Sequence, residues 1–205
     1  MEGVQSENLA NEWRQDPYAD ELWDNLELRK TDESAGMAGL EALARAGSPL
    51  AMMYLGHTLL SGQFGVSKDE DAGEAWLRRS AEQGSTEGGY RLASILLADG
   101  RVDEAMRGFK ALSKKGYAPA TFVLGLEHYR GHYIESNQSV ALHYWRMAAR
   151  QGHLRASHWL SFTLMRGKFD PRSWVQGLFV RLSMMVPFVY YTVNRPGSDR
   201  LRIWA

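Results

Sequence analysis

Histidine is the residue type in this sequence best suited to acid–base or metal chemistry, and five of the six histidines fall within residues 128–158. His128 and His132 stand four residues apart, a spacing that presents two imidazoles to one metal ion from one face of a helix. Gly131 lies between them, and the helix is expected to end there. The histidine-rich region therefore supports a metal-dependent enzyme only as a secondary alternative, and we predict no metal site.

Other catalytic motifs are missing from the sequence. It contains no GxSxG or SxxK nucleophile motif and no GxxxxGKS/T or GxGxxG phosphate-binding loop. The absence of cysteine excludes thiol catalysis, disulfide scaffolds and cysteine-ligated zinc. We therefore predict a non-enzymatic protein with no catalytic residue and no cofactor.

The composition is that of a globular protein of one domain or one short repeat array. The 205 residues are 44% apolar and 23% charged. Because 24 basic residues balance 24 acidic ones, we predict no nucleic-acid partner. No secretory signal opens the sequence, so we expect a cytoplasmic location, at the inner face of the membrane if the C-terminus anchors the chain.

Charge is unevenly distributed along the chain. Residues 1–35 hold ten acids and three bases, a net charge of −7, whereas residues 166–205 hold two acids and seven bases, a net charge of +5. Two oppositely biased solvated surfaces explain this asymmetry most simply. It also prompts the hypothesis that the acidic N-terminus docks in the chain's own groove as an autoinhibitor. In that case deletion of residues 1–30 raises the affinity for a partner.

The chain repeats the same residue types at the same spacing four times. Each unit has a glycine, a small residue four positions later, a leucine eight positions later and a second small residue directly after the leucine. The glycines are Gly47, Gly84, Gly116 and Gly152, and the leucines are Leu55, Leu92, Leu124 and Leu160. The first small residues are Ala51, Gly88, Ala120 and Ala156, and the second are Gly56, Ala93, Gly125 and Ser161.

This spacing predicts two antiparallel helices per unit, helix A and helix B. The small residue and the leucine lie at positions i and i+4 of helix A, on the face where helix B must approach closely. The glycine follows helix B, where a left-handed C-cap is expected. Asp69 is expected to cap a helix B whose bulky residues include Trp76 and Leu77. One helix pair cannot bury its apolar face alone, so neighbouring pairs must stack.

These residues resemble the Sel1-like repeat family, a relative of the tetratricopeptide repeat. The first unit matches its pattern at Ala51, Leu55, Gly56, Gly62, Gly65, Val66, Asp69, Trp76, Ala81 and Gly84. The third unit matches at Ala120, Leu124, Gly125, Gly131, Ile134, Ala141, Tyr144, Trp145, Ala148, Ala149 and Gly152. The second unit lacks the loop between its helices and looks more like a tetratricopeptide unit. The resemblance covers about residues 36–167 and implies a bacterial, non-enzymatic adaptor that binds proteins.

We therefore predict an all-α fold, an α-solenoid of antiparallel helix pairs that forms a right-handed superhelix. Residues 1–33 form an acidic segment with a short helix at 18–29, residues 34–167 form the repeat array, and residues 168–205 form a non-repeat hydrophobic helix with a basic tail. A lone helix B is expected at 34–46. Helix pairs follow at 49–61 with 69–83, 86–98 with 101–115 and 118–130 with 137–151, then a helix A at 154–166 and a helix B near 172–187.

The segment from Trp174 to Val193 is apolar nearly all round, unlike a terminal capping helix. It either packs on the array with Pro187 bending the chain back, or is buried by a partner or by self-association, or contacts a membrane. Its 20 residues match a hydrocarbon core of about 30 Å, but Arg181 and Pro187 oppose a spanning helix. Basic flanks favour lying on an anionic surface. The candidate contact residues are Trp174, Leu178, Phe179, Arg181, Phe188, Tyr190 and Tyr191.

The main predicted function is a scaffold that holds a peptide or protein in a concave groove lined by the A helices. Helix A positions two before and two after the shared leucine are candidates for that lining, although each is equally compatible with the core. These residues are Met53, His57, Tyr90, Ser94, Phe122, Leu126, His158 and Phe162, and Tyr129 belongs to a further aromatic group at the loop of the third unit. The alternative is a membrane-associated adaptor anchored through residues 172–205.

Overall fold

A computed structural model describes the backbone of residues 2–166 and 171–194 and the side chains of residues 9–166 and 172–183. These residues form eleven helices and no strand, which confirms the all-α fold class. The helices are α1 Glu2–Gln15, α2 Ala19–Leu28, α3 Glu33–Ala46, α4 Pro49–Ser61, α5 Glu70–Glu82, α6 Thr86–Ala98, α7 Val102–Lys114, α8 Ala118–Arg130, α9 Gln138–Arg150, α10 Leu154–Arg166 and α11 Pro171–Asn194.

The helices belong to two compact units, one of Ser6–Tyr117 and one of Ala118–Ala205 together with Met1–Gln5. Within the first unit, successive helices pack as the pairs α2–α3, α4–α5 and α6–α7. Within the second, α8 packs on α9 and α10 on α11. Each unit has its own core, with Leu40 and Leu77 fully buried in the first and Trp145 fully buried in the second. Successive helix pairs are the building principle of an α-solenoid.

Polar side chains cap the N-termini of several helices, and glycines in a left-handed backbone conformation follow the C-termini of several. Asp69 accepts a hydrogen bond from the Ala72 N–H at 2.9 Å, which confirms the predicted cap of α5. Asn137 caps α9 in the same way through the Val140 N–H. After α5 the chain turns at Gly84, whose φ of 97° is a backbone conformation that favours glycine. These caps satisfy helix-end groups that would otherwise lack partners.

Small residues let the paired helices approach each other closely. A Cβ atom on Gly56 of α4 would lie 2.8 Å from the carbonyl oxygen of Gly73 on α5. A Cβ atom on Gly125 of α8 would lie 2.5 Å from the indole of Trp145 on α9. The small residues directly after the shared leucines therefore mark the crossing points of these helix pairs, whereas the sequence pattern assigns the close approach to the small residue four positions before each leucine.

Helices α10 and α11, the final pair, also approach each other closely at a small residue, but α11 is longer than the helix B that the pattern predicts. Ser161 of α10 donates a hydrogen bond to the carbonyl oxygen of Gly177 at 3.0 Å, so α11 approaches α10 closely at Gly177. The backbone of α11 remains helical through Pro187 to Asn194, so the proline does not end the helix. A proline removes one helical hydrogen bond and crowds the preceding turn, which kinks a helix more readily than it ends one.

Candidate interaction surfaces

The predicted groove residues of the first unit differ in exposure. Met53 is fully buried in the core, whereas His57 is exposed, and Tyr90 and Ser94 are partly exposed. The Ser94 hydroxyl donates to the Tyr90 carbonyl oxygen at 2.8 Å. His57, Tyr90 and Ser94 therefore remain accessible on the exposed faces of α4 and α6.

His57 has two arginines nearby that the sequence interpretation missed. Partial burial, and then the positive charges of Arg91 and Arg29, lower the pKa of His57, while Glu87 opposes them. The Arg29 guanidinium lies 4.2 Å from the ring centroid of Phe64 and donates to the Thr58 hydroxyl at 3.5 Å. We call Arg29 and Arg91 the cationic cluster, and the lowered pKa of His57 leaves its ring uncharged at neutral pH beside them. The position of Arg91 next to Leu92 on a helix A was the one signal that could have identified it.

A buried carboxylate holds this surface in place. Arg91 Nε donates to Glu87 Oε1 at 2.9 Å, and the Tyr117 hydroxyl donates to Glu87 Oε2 at 2.5 Å. Burial and the neighbouring Glu87 raise the pKa of Tyr117, so its hydroxyl stays protonated. The Tyr90 ring packs on Phe109 and Tyr117, with centroid distances of 5.9 and 5.6 Å. The cationic cluster and Tyr90 are therefore fixed by packing and hydrogen bonds.

The second unit presents an aromatic group along α8 and α10. The half-buried Tyr129 ring lies 5.3 Å from Trp145 and 5.5 Å from Trp159. Phe162 contacts Trp159, and the Arg166 guanidinium lies 5.0 Å above the Phe162 ring. The other predicted groove residues of this unit are the partly buried Leu126, the exposed His158 and the buried Phe122, which stacks on His153 at 4.7 Å.

Helix α11 carries an exposed apolar strip, defined as Trp174, Val175, Phe179 and Leu182. Their relative exposures are 49%, 58%, 72% and 52%, respectively. Leu178 is partly buried and Arg181 is exposed. Phe188, Tyr190 and Tyr191 lie outside the residues whose side chains the structure describes.

A groove of about 540 Å³ lies beside this strip, between α9, α10 and α11. Its wall includes Arg146 and Arg150, which are one turn apart on α9, and its floor includes Leu160 and Leu164. Val175 and Phe179 of the exposed apolar strip line the opposite side. The sequence interpretation missed the arginine pair, although its i, i+4 spacing is visible in the sequence.

The histidine-rich region does not assemble a metal site in the described residues. Helix α8 ends at Arg130, and Gly131 follows with a φ of 69°. The His128 ring stacks on Tyr144 at 5.7 Å, whereas His132 lies edge-on to Tyr133. Over the side chains that the structure describes, no group of three or more His, Asp or Glu residues is arranged to hold a metal ion. No helix in the described part of the chain is long and apolar enough to cross a membrane.

Comparison with known proteins matches this fold to one repeat family. The sequence matches the Sel1 repeat over residues 49–85 and 118–153. The crystal structure of a Sel1 repeat protein from Oxalobacter formigenes is similar, with a TM-score of 0.63 and 21% identity over 84% of this chain and 77% of that one. No curated protein matches the sequence.

A second similar structure is a protective antigen present in uropathogenic Escherichia coli strains, which displays an SLR fold. Its TM-score is 0.55 and its identity 26%, over 65% of this chain and 29% of the antigen. This chain therefore spans less than a third of the antigen's length. This chain therefore contains two stretches that match the Sel1 repeat, and its helix pairs cross at small residues.

Proposed function

We propose that this protein is a non-enzymatic scaffold that binds a protein or peptide partner on the exposed faces of its A helices, the helices predicted to line a concave groove. The Sel1-repeat fold supports a protein-interaction scaffold in general. In the first unit the proposed contact surface is His57, Tyr90, Arg91 and Ser94. In the second unit it is Leu126, Tyr129, His158 and Phe162.

The observation that carries the proposal is the fixed cationic cluster beside the partly exposed Tyr90. Tyrosine and arginine are enriched among the residues that dominate interface energies. Here Glu87 holds Arg91 and the Tyr117 ring packs on Tyr90, so ordering these two side chains on binding costs little additional side-chain entropy. The excess positive charge favours a partner segment that carries a carboxylate.

The test is site-specific photo-crosslinking of the full chain in an extract of its source cells. A photoreactive residue at Ser94 is expected to give a discrete crosslinked protein, whereas the same residue at the exposed Ala75 of α5 gives none. His57→Glu places a negative charge beside Arg29 and Arg91 and is expected to abolish the product. Lys110→Glu, on the exposed side of α7, is the matched control and is expected to retain it. Equal products from Ser94 and Ala75, or a product insensitive to His57→Glu, would contradict the proposal.

A further inference from the structure

Helix α11 is nearly twice as long as the helix on which it packs. α10 has 13 residues and α11 has 24, so residues 171–183 suffice to run alongside α10. The backbone of α11 then remains helical over residues 184–194, beyond the length of its partner. Residues 184–194 contain no charged residue. The last helix pair is thus extended by an uncharged helical segment.

The exposed apolar strip faces outward on the part of α11 that packs on α10. Gly177 is buried against α10, where a Cβ atom would lie 2.8 Å from Met165. Trp174, Phe179 and Leu182 remain about half exposed or more. Large apolar side chains that are exposed together on one helix face indicate a surface that binds a membrane or another protein.

The three helices around the strip carry positively charged side chains and no negatively charged ones. Helices α9, α10 and α11 contain no acidic residue and six arginines, namely Arg146, Arg150, Arg155, Arg166, Arg172 and Arg181. Arg146 and Arg150 line the same groove as Val175 and Phe179. Cationic groups and exposed apolar side chains therefore share one surface of the second unit.

We infer that the exposed apolar strip and the arginine-lined groove form a peripheral docking surface for a lipid bilayer that carries anionic lipids. The strip enters the boundary between headgroups and acyl chains, where tryptophan is enriched. Arg146 and Arg150 meet lipid phosphates, since basic residues are attracted to the negative surface potential of such a membrane. An anionic bilayer offers acyl chains to the strip and phosphates to the arginines, so a single phase complements both features of this surface.

The test is cosedimentation of the full-length protein with vesicles. The protein is expected to sediment with vesicles of equimolar phosphatidylcholine and phosphatidylglycerol and to remain in solution with vesicles of phosphatidylcholine alone. Binding is expected to weaken as salt is raised, because salt screens exposed charges. Trp174 is half exposed, so its fluorescence is expected to shift to the blue on binding.

Two variants and two matched controls separate the surface from general effects of hydrophobicity and charge. Phe179→Ser, at a side chain that is 72% exposed, and the double variant Arg146→Gln/Arg150→Gln are each expected to weaken partitioning roughly tenfold. Leu28→Ser is the control for an exposed apolar residue. Lys110→Gln/Lys114→Gln is the control for two exposed cations one helical turn apart. Both controls are expected to bind as the unmodified protein does.

Three results would overturn the inference. They are no sedimentation with the anionic vesicles, equal sedimentation with both kinds of vesicle, and unchanged binding by Phe179→Ser. Self-association in solution that Phe179→Ser abolishes would also overturn it, because the strip would then be a protein interface. None of these results bears on the A-helix surface of the first unit, so failure here is distinguishable from failure of the scaffold proposal.

Discussion

The carboxylate of Glu12 accepts a hydrogen bond from the backbone N–H of Thr86 at 2.8 Å, so a side chain of α1 caps the first turn of α6. The Ser85 hydroxyl and the Glu87 N–H also donate to this carboxylate, at 2.7 and 3.2 Å. One helical turn later, Asp16 accepts from the Ser48 hydroxyl and the Leu50 N–H at the start of α4. Two carboxylates from one end of α1 thus meet the positive ends of two successive A helices.

Loss of the Glu12 charge is expected to destabilise the first unit. Glu12→Gln keeps the shape of the side chain but removes the charge that strengthens its bonds to the N–H groups of α6. We expect the free energy of unfolding, measured in urea, to fall by about 1–2 kcal/mol. Asp20→Asn, at an exposed carboxylate of α2, is the control and is expected to change it little. Equal stability of the two variants would show that the cap contributes nothing.

The autoinhibition hypothesis stays a prediction, and the structure sharpens its test. Leu22 and Leu26 of α2 are buried, so deletion of residues 1–30 would open the core of the first unit. Glu12→Gln/Asp16→Asn instead keeps these leucines and weakens the contacts with α4 and α6, together with the hydrogen bond from the Tyr18 N–H to Asp16. We expect this variant to give more of the product crosslinked from Ser94 if α1 restricts access to the A helices. An unchanged yield would contradict autoinhibition.

The A helices could be predicted from the sequence to the residue, and the B helices α5, α7 and α9 each to within one residue at either end. Helices α4, α6, α8 and α10 have the predicted bounds, because a glycine ends each preceding helix B and a small residue marks each crossing point. Helix α1 was not predicted. Leu9 and Trp13 are the only apolar residues near its end, and its anchoring partner Thr86 lies far along the chain. Local patterns carry no signal for such a contact.

The candidate surface could be predicted only in part. The repeat register identified the A helices, but it did not set the rotation of each helix finely enough to separate His57, which is exposed, from Met53, which is buried. The cationic cluster depends on Arg29, which follows a different helix. Contacts between elements, which the spacing of repeats does not encode, therefore decide the chemistry of the surface.

Alanine at Gly56 is expected to destabilise the protein through helix packing, whereas alanine at Gly89 is expected to stabilise it through helix propensity. Gly56→Ala places a methyl group 2.8 Å from the Gly73 carbonyl oxygen and 3.0 Å from Leu77, so α4 and α5 must move apart. We expect a loss of about 1–3 kcal/mol in unfolding free energy. Gly89→Ala of α6 meets Leu112 at an ordinary 3.5 Å and is expected to gain about 0.5–1 kcal/mol. Similar effects of the two substitutions would refute close packing at Gly56.

Acid is expected to destabilise the protein through His153. Its Nδ1 accepts a hydrogen bond from the Ala156 N–H at 3.1 Å, which requires a neutral ring, and burial lowers its pKa to about 4. As pH falls from about 6.5 to about 4, the unfolded chain binds a proton that the folded chain does not, so stability is lost over this window.

The comparison variant for His153 is His153→Asn, which keeps a capping acceptor that does not titrate. Between pH 7 and pH 4.5 we expect the unmodified protein to lose up to roughly 2 kcal/mol more than this variant in urea unfolding. His143→Asn, at an exposed histidine of α9, is the control and is expected to follow the unmodified protein. Parallel pH profiles for His153→Asn and the unmodified protein would rule out the effect.

Ionisation of Glu127 is expected to destabilise the protein as pH rises, in contrast to protonation of His153, which destabilises it as pH falls. Its side chain is buried, and its Oε2 atom has no hydrogen-bond partner among the described residues. Burial raises its pKa, while Arg130 and His132 oppose the shift. Because the folded protein holds this proton more tightly than the unfolded chain, its contribution to stability is complete in acid and is lost as pH rises.

Glu127→Gln removes the free-energy cost of burying a charged carboxylate, because the amide stays neutral at every pH. We expect the variant to be about 1 kcal/mol more stable than the unmodified protein at pH 7, measured by urea unfolding. The difference is expected to disappear in acid, where the carboxyl group is protonated in both states. Glu135→Gln, at an exposed carboxylate of the same unit, is expected to show no such dependence. A Glu127→Gln variant that is less stable at pH 7 would mean that the carboxylate has a partner whose loss outweighs its desolvation.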